Sequence, residues 1–200
     1  MERLIQSSVG EAGFSLSEMV VAVGIVSVLS GMAVFQIGKT RPAAAGDGAM
    51  RVVLSQMTAA RERAITERRN MRLTFENNAV TTLREEYPGP QVSTLSVVPF
   101  EGKAQYLQLG VGDTPDGFVK PTGSTSAVNF PTAPPPAGGG PPEVKFTPDG
   151  NFVNQDGLTL NGTIFIGLPS ETLSARAVTI FGSTGRIRGY RYNGKAWKPI

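Results

Sequence analysis

The chain has 200 residues, with 19 Lys plus Arg against 16 Asp plus Glu, and neither cysteine nor histidine. Those two absences exclude disulfides, cysteine nucleophiles, histidine-based triads and zinc sites of the usual ligand types. A formal net charge of +3 is far from that of a dedicated nucleic-acid binder. Once the apolar N-terminal stretch is set aside, what remains makes one modest domain.

The segment Gly13-Phe14-Ser15-Leu16-Ser17-Glu18 opens directly onto an apolar run from Met19 to Gly38. The twenty-four residues from Phe14 to Ile37 carry one charge and make ~36 Å of helix, enough to span a bilayer core about 30 Å thick. Val20, Val21, Val23, Ile25, Val26, Val28, Val34 and Ile37 suit burial on all sides, in lipid or among packed helices. Gly24, Gly31 and Ala33 allow close helix approach or local bending. An ionised carboxylate in hydrocarbon costs roughly 2.5 kcal/mol or more, so Glu18 is expected to have a partner and a role.

Two plainer readings compete. One is an ordinary secretory signal cut near Ala43-Ala44-Ala45; the other is a simple anchor in which Glu18 snorkels to the interface. Against the first, the apolar run exceeds the usual core of about 7 to 15 residues, and the residues before it are poorly basic. Only Arg3 is basic before the helix, whereas Lys39 and Arg41 follow it, so the charge bias alone leans toward a cytoplasmic C-terminal domain.

Pro42 is expected to break or kink the helix, with Gly46-Asp47-Gly48 as a flexible joint. Beyond it Met50, Val53, Leu54, Met57, Ala60, Ala64 and Ile65 recur at helical spacing among charged residues, which predicts an amphipathic segment over 39–69 with Asp47 as its cap. From Asn70 the period changes to two. Met71, Leu73 and Phe75 alternate with polar neighbours, and Asn77-Asn78 turns into Val80 to Arg84, a hairpin. Further strands are expected at Val92 to Phe100, Ala104 to Leu109, Val144 to Thr147, Thr163 to Leu168, Arg176 to Phe181 and Ile187 to Tyr192. The fold class is therefore α+β, a helix laid on a mostly antiparallel sheet.

The proline- and glycine-rich stretch near 110–142, with Pro134-Pro135-Pro136 and Gly138-Gly139-Gly140, reads as an exposed insertion. The Asp113 and Asp116 region and Pro148-Asp149-Gly150 lack the ligand spacing of a calcium loop and are better explained as tight turns. No Walker loop, G-x-S-x-G elbow or H-E-x-x-H motif occurs, and no spacing suggests a carboxylate pair. The expectation is a protein that is not an enzyme and needs no cofactor or metal.

After Glu171 no acidic side chain occurs, while Arg176, Arg186, Arg188, Arg191, Lys195 and Lys198 are interleaved with Tyr190, Tyr192 and Trp197. In an extended strand Arg186, Arg188, Tyr190 and Tyr192 share one face, and Ile187, Gly189 and Arg191 the other. Two guanidinium groups about 7 Å apart beside the Ser183-Thr184-Gly185 turn suit adjacent phosphates, and neighbouring rings suit stacking on exposed bases. The same arginines serve equally as a solvated face, or as partners for acidic groups on a neighbouring subunit.

The Gly13 to Glu18 signal and its apolar helix resemble the class III signal of type IV pilins and of type II secretion pseudopilins. Thr184-Gly185-Arg186-Ile187-Arg188, with Trp197 near the end, is similar to the carboxyl end of the GspH/FimT group of minor pilins and pseudopilins. The resemblance covers both ends of the chain; the middle matches only in coarse pattern. It implies cleavage by a prepilin peptidase after Gly13, N-methylation of Phe14, and pairing of Glu18 with a neighbouring subunit's terminal amine. It implies an inner-membrane, single-pass chain with a periplasmic body, the reverse of the charge bias, and a role in assembling or priming a pilus or secretion pseudopilus. Implied partners are other pilins through the N-terminal helix, the peptidase, the inner-membrane assembly platform and lipid. Some relatives of this type bind DNA during natural transformation through a G-R-x-R motif, matched here by Gly185, Arg186 and Arg188, with Arg191 beyond it. The alternatives are therefore a DNA-binding minor pilin and, from another class, a membrane-anchored enzyme or carrier domain.

Overall fold

The computed structural model describes residues 15–89, 91–111, 114–118, 127–130 and 143–200, with backbone alone for 34–41. The chain divides after Thr40 into two units. The first holds the start of a helix, α1, which spans Leu16–Glu67. The second runs from Arg41 onward and combines the rest of α1 with antiparallel sheets, an α+β arrangement.

The joint expected at Gly46-Asp47-Gly48 does not form, because α1 continues through Pro42 and the two glycines. Tertiary contact explains why glycine stands there. A Cβ on Gly46 would run into the backbone oxygen of Ser174, so this position lets helix and strand approach closely. Asp47 is likewise no cap; it lies within the helix.

Among the described residues eleven strands follow: β1 (Met71–Glu76), β2 (Ala79–Glu85), β3 (Val92–Pro99), β4 (Gln105–Tyr106), β5 (Val128–Asn129), β6 (Val144–Phe146), β7 (Phe152–Asn154), β8 (Gly162–Leu168), β9 (Glu171–Phe181), β10 (Arg186–Tyr192) and β11 (Trp197–Pro199). They form two sheets where the alternation pattern predicts one. The first has the order β3-β2-β1-β6-β7, and the second β11-β10-β9-β8-β4, with β5 also pairing to β8. The β1–β2 hairpin turns at Asn77 and Asn78, both at positive φ, as short polar side chains allow. The strand expected at Ala104 to Leu109 shrinks to two residues, and β9 begins five residues before Arg176.

The core of the second unit gathers the helix stripe Ala49, Met50, Val53, Met57, Ala60 and Ala64 with residues of both sheets, among them Leu73, Phe146, Ile166 and Ile180. Burial of each large apolar side chain contributes about 1.5–3 kcal/mol, so this stripe anchors the helix. Ile65 is the exception, exposed at 44%. Gly189 of β10 provides a second close approach, where an added Cβ would lie 3.0 Å from Leu54 and 3.3 Å from the Met50 sulfur.

The stretch near 110–142 is not simply an exposed insertion. Its proline–glycine core, 131–142, lies outside the described residues. Pro115, Ala127, Val128 and Phe130 are buried, and Val128–Asn129 pairs with Ile164 and Thr163 of β8. A turn of 3-10 helix at Pro115–Gly117 carries Asp116 and Gly117 at positive φ, in keeping with the tight turn expected there.

Candidate functional site

Gly13 and Phe14 lie outside the described residues. Just beyond them, Ser15 and Glu18 close a reciprocal cap on α1. The Ser15 N–H donates to Glu18 Oε2 at 2.9 Å, and the Glu18 N–H donates to Ser15 Oγ at 3.2 Å. This capping box satisfies two donors that a helix start leaves orphaned. Glu18 also places its negative charge in the first turn, where the helix dipole favours it. From Leu16 to Ala33 the helix is long and apolar enough to cross a membrane, and none of that window is buried within the chain.

The second cluster of predicted site residues lies on β10. A Cβ on Gly185 would meet the backbone oxygen of Gly150, and its φ of +60 is one that side-chain-bearing residues avoid. Arg61 of α1 clamps the same turn, its Nε donating to Gly150 O and its Nη2 to Thr184 O, each at 3.2 Å. The glycine of this motif thus has a backbone reason to be present, independent of any ligand.

Arg186 follows that turn and is exposed, with its guanidinium 4.2 Å from the centre of the Phe181 ring. Phe118 packs on the same ring at 4.7 Å. Arg188 is also exposed, but its Nη1 stands 3.6 Å from Asp116 Oδ1. Asp116 accepts two further hydrogen bonds, from Thr179 Oγ1 at 2.7 Å and from the Tyr190 hydroxyl at 2.6 Å. Burial first, and then the Asp116 carboxylate, raise the Tyr190 hydroxyl above its ordinary pKa. Tyr190 is only 6% exposed, so its ring offers no face to an incoming base; Tyr192 packs on Trp197 at 5.4 Å. The alternation of faces holds along β10, whereas the expected stacking rings are already occupied.

Arg191 points to the opposite face and pairs with Asp47 of α1, Nη2 to Oδ2 at 2.7 Å. Asp47 also takes Arg176 Nε at 2.6 Å, and the Arg176 side chain is fully buried. Three backbone oxygens complete the Arg176 coordination: Leu173 and Ala175 at 2.8 Å and Ala43 at 3.0 Å. Burial alone would raise the Asp47 carboxyl, but hydrogen bonds and charge from Arg176, then Arg191, hold it below its ordinary value. Of the four C-terminal site residues, only Arg186 and Arg188 are presented together on one open face.

Asp116, Asp47 and Arg61 are the side chains whose partners sequence reasoning did not find. All three act across more than 60 residues of chain, from Asp116 to Thr179 at the nearest, so no local spacing marks them. Among the described residues no group of three or more His, Cys, Asp or Glu side chains gathers that could hold a metal ion. No family model matches the chain, and neither a curated protein nor a solved structure matches it significantly.

Proposed function

We propose that this chain is a filament subunit of the minor pilin or pseudopilin kind. The observation that carries the reading is a lone carboxylate, Glu18, at the head of a helix otherwise apolar enough to cross a bilayer. On this reading a prepilin peptidase cuts after Gly13, Phe14 becomes the methylated amino terminus, and the body lies in the periplasm. One backbone N–H occupies Glu18 in the capping box. A carboxylate has lone pairs for several donors, so a neighbouring subunit's amine can be added without breaking the cap. In the low dielectric of packed helices that pair gains strength, and each charge alone there is costly.

Two measurements test the proposal together. Mass spectrometry of the amino terminus, with and without a prepilin peptidase, should find a chain beginning at methylated Phe14 only when the enzyme is present. Glu18→Ala should still insert in the membrane yet enter the filament poorly. An unprocessed Met1, a chain cut at Ala45, or normal incorporation of the Ala variant would overturn the assembly role.

A DNA-binding role has one observation in its favour. Among the described residues Arg186 takes part in no ion pair, and its guanidinium lies over the Phe181 ring on an exposed part of the strand. The Asp116 carboxylate beside Arg188 opposes it, by placing a negative charge where a phosphate would sit. Filament assembly is the reading that the residues support better.

A further inference from the structure

The second unit has a proximal end, where the chain arrives from Thr40, and its side chains there follow a pattern that the assembly role does not use. Arg176 Nη2 bonds Ala43 O, and Gly46 meets the Ser174 backbone, so the β8–β9 turn flanks the start of this unit. A Cβ built on Gly194 would lie 3.7 Å from Leu173 Cδ2, which places the β10–β11 turn alongside. Leu173 is 57% exposed on that surface. Lys195 lies in the β10–β11 turn and Lys198 stands opposite Arg191 across the β10–β11 ladder; both lysines are exposed. Lys103 belongs to the bend where a Cβ built on Gly102 would lie 3.7 Å from the Ala45 Cβ. Asp47 is already neutralised by two arginines, leaving Glu101 and Glu171 as the acids near these turns. Tyr192 and Trp197 stand in the same two strands, packed on each other on the face opposite Lys198.

A basic rim beside an exposed leucine is what a surface lying on lipid headgroups carries. Chain length puts such a surface within reach. Only five residues lie between Ile37 and Ala43, so the second unit begins a short length of chain beyond the apolar run. We infer that the proximal end of the second unit docks on anionic lipid headgroups, with Lys195 and Lys198 on the phosphates and Leu173 at the interface. The inference rests on reading the apolar part of α1 as a membrane span, and it concerns the subunit before assembly.

The chain has a single tryptophan, Trp197, next to Lys198 in β11, so its emission reports how near this turn comes to labelled lipid. The full chain is placed in nanodiscs of phosphatidylcholine, or of phosphatidylcholine with phosphatidylglycerol, containing lipids spin-labelled at the headgroup. Trp197 quenching should be stronger in the anionic discs and fall toward the neutral value in high salt. Each lysine near an anionic surface favours docking about fivefold, so Lys195→Gln with Lys198→Gln should shift the docked ratio about 25-fold and remove the difference. Both lysines are exposed and take part in no ion pair among the described residues, so the double variant keeps its fold. Equal quenching in both disc types, or quenching indifferent to the double variant, overturns the inference alone. Quenching that tracks the number of chains per disc instead assigns the surface to a second copy and overturns it too. Failure of the chain to enter discs at all removes the membrane span, and the inference with it.

Discussion

Replacing Asp47 by alanine should strip a buried arginine of its charge partner. The side chain of Arg176 is fully buried, and Asp47 is its only carboxylate partner among the described residues. Three carbonyl oxygens would remain, but none carries charge. Leaving one member of a buried pair uncompensated typically costs 3–5 kcal/mol. The Arg191 side chain is half exposed, and a pair of that kind contributes roughly 0–1 kcal/mol. Asp47→Ala should therefore lose about 3–5 kcal/mol and Arg191→Ala no more than about 1 kcal/mol. For a unit of this size the first corresponds to a fall of ~6–20 °C in Tm.

The assay is denaturant unfolding of the full chain in detergent, followed by Trp197, which packs against Phe165 and Tyr192. The pH dependence has a definite sign. The folded-state pKa of Asp47 is depressed below the ordinary 3.8, so its stabilisation is complete above that value. It is lost as the pH falls through the lower folded value, and the gap between wild type and Asp47→Ala should narrow there. A loss below about 1 kcal/mol at neutral pH, or a gap unchanged on acidification, would refute the argument.

Two further outcomes are expected. Gly185→Ala should destabilise by about 2 kcal/mol or more, since it joins a left-handed backbone to a collision with Gly150; a midpoint within error of wild type would show that the turn is not pinned. Arg186→Ala with Arg188→Ala should leave the fold intact, and if the chain binds DNA it should abolish retention that otherwise falls steeply with salt. Unchanged retention would remove the DNA role.

Strands with clean alternation were readable from the residues because one face of each meets the core: Met71, Leu73 and Phe75 are all buried, as their spacing predicts. β5, β7 and β11 were not; each has only two or three residues, and β11 ends on Pro199. The division into two sheets is also invisible locally. It depends on β1 pairing with β6 and β4 with β8, across gaps that no short window spans. Asp47 illustrates the same limit at the level of a site. An Asp between two glycines reads as a helix cap, and only the arrival of Arg176 and Arg191 from the far end of the chain makes it an ion-pair centre. The face alternation of β10 was legible, whereas the filling of that face by Asp116 came from a loop some seventy residues upstream.

Gly46 and Gly189 have a consequence for how this helix can vary. One removes a side chain from α1 where β9 crosses it, and the other removes one from β10 where Met50 and Leu54 press in. Together they work as a keyway, admitting the helix at one axial position and one rotation. A residue inserted between Asp47 and Met50 would turn everything beyond it by about 100° and slide it ~1.5 Å, carrying the apolar stripe off its seat. The same insertion before Pro42 would leave the key engaged.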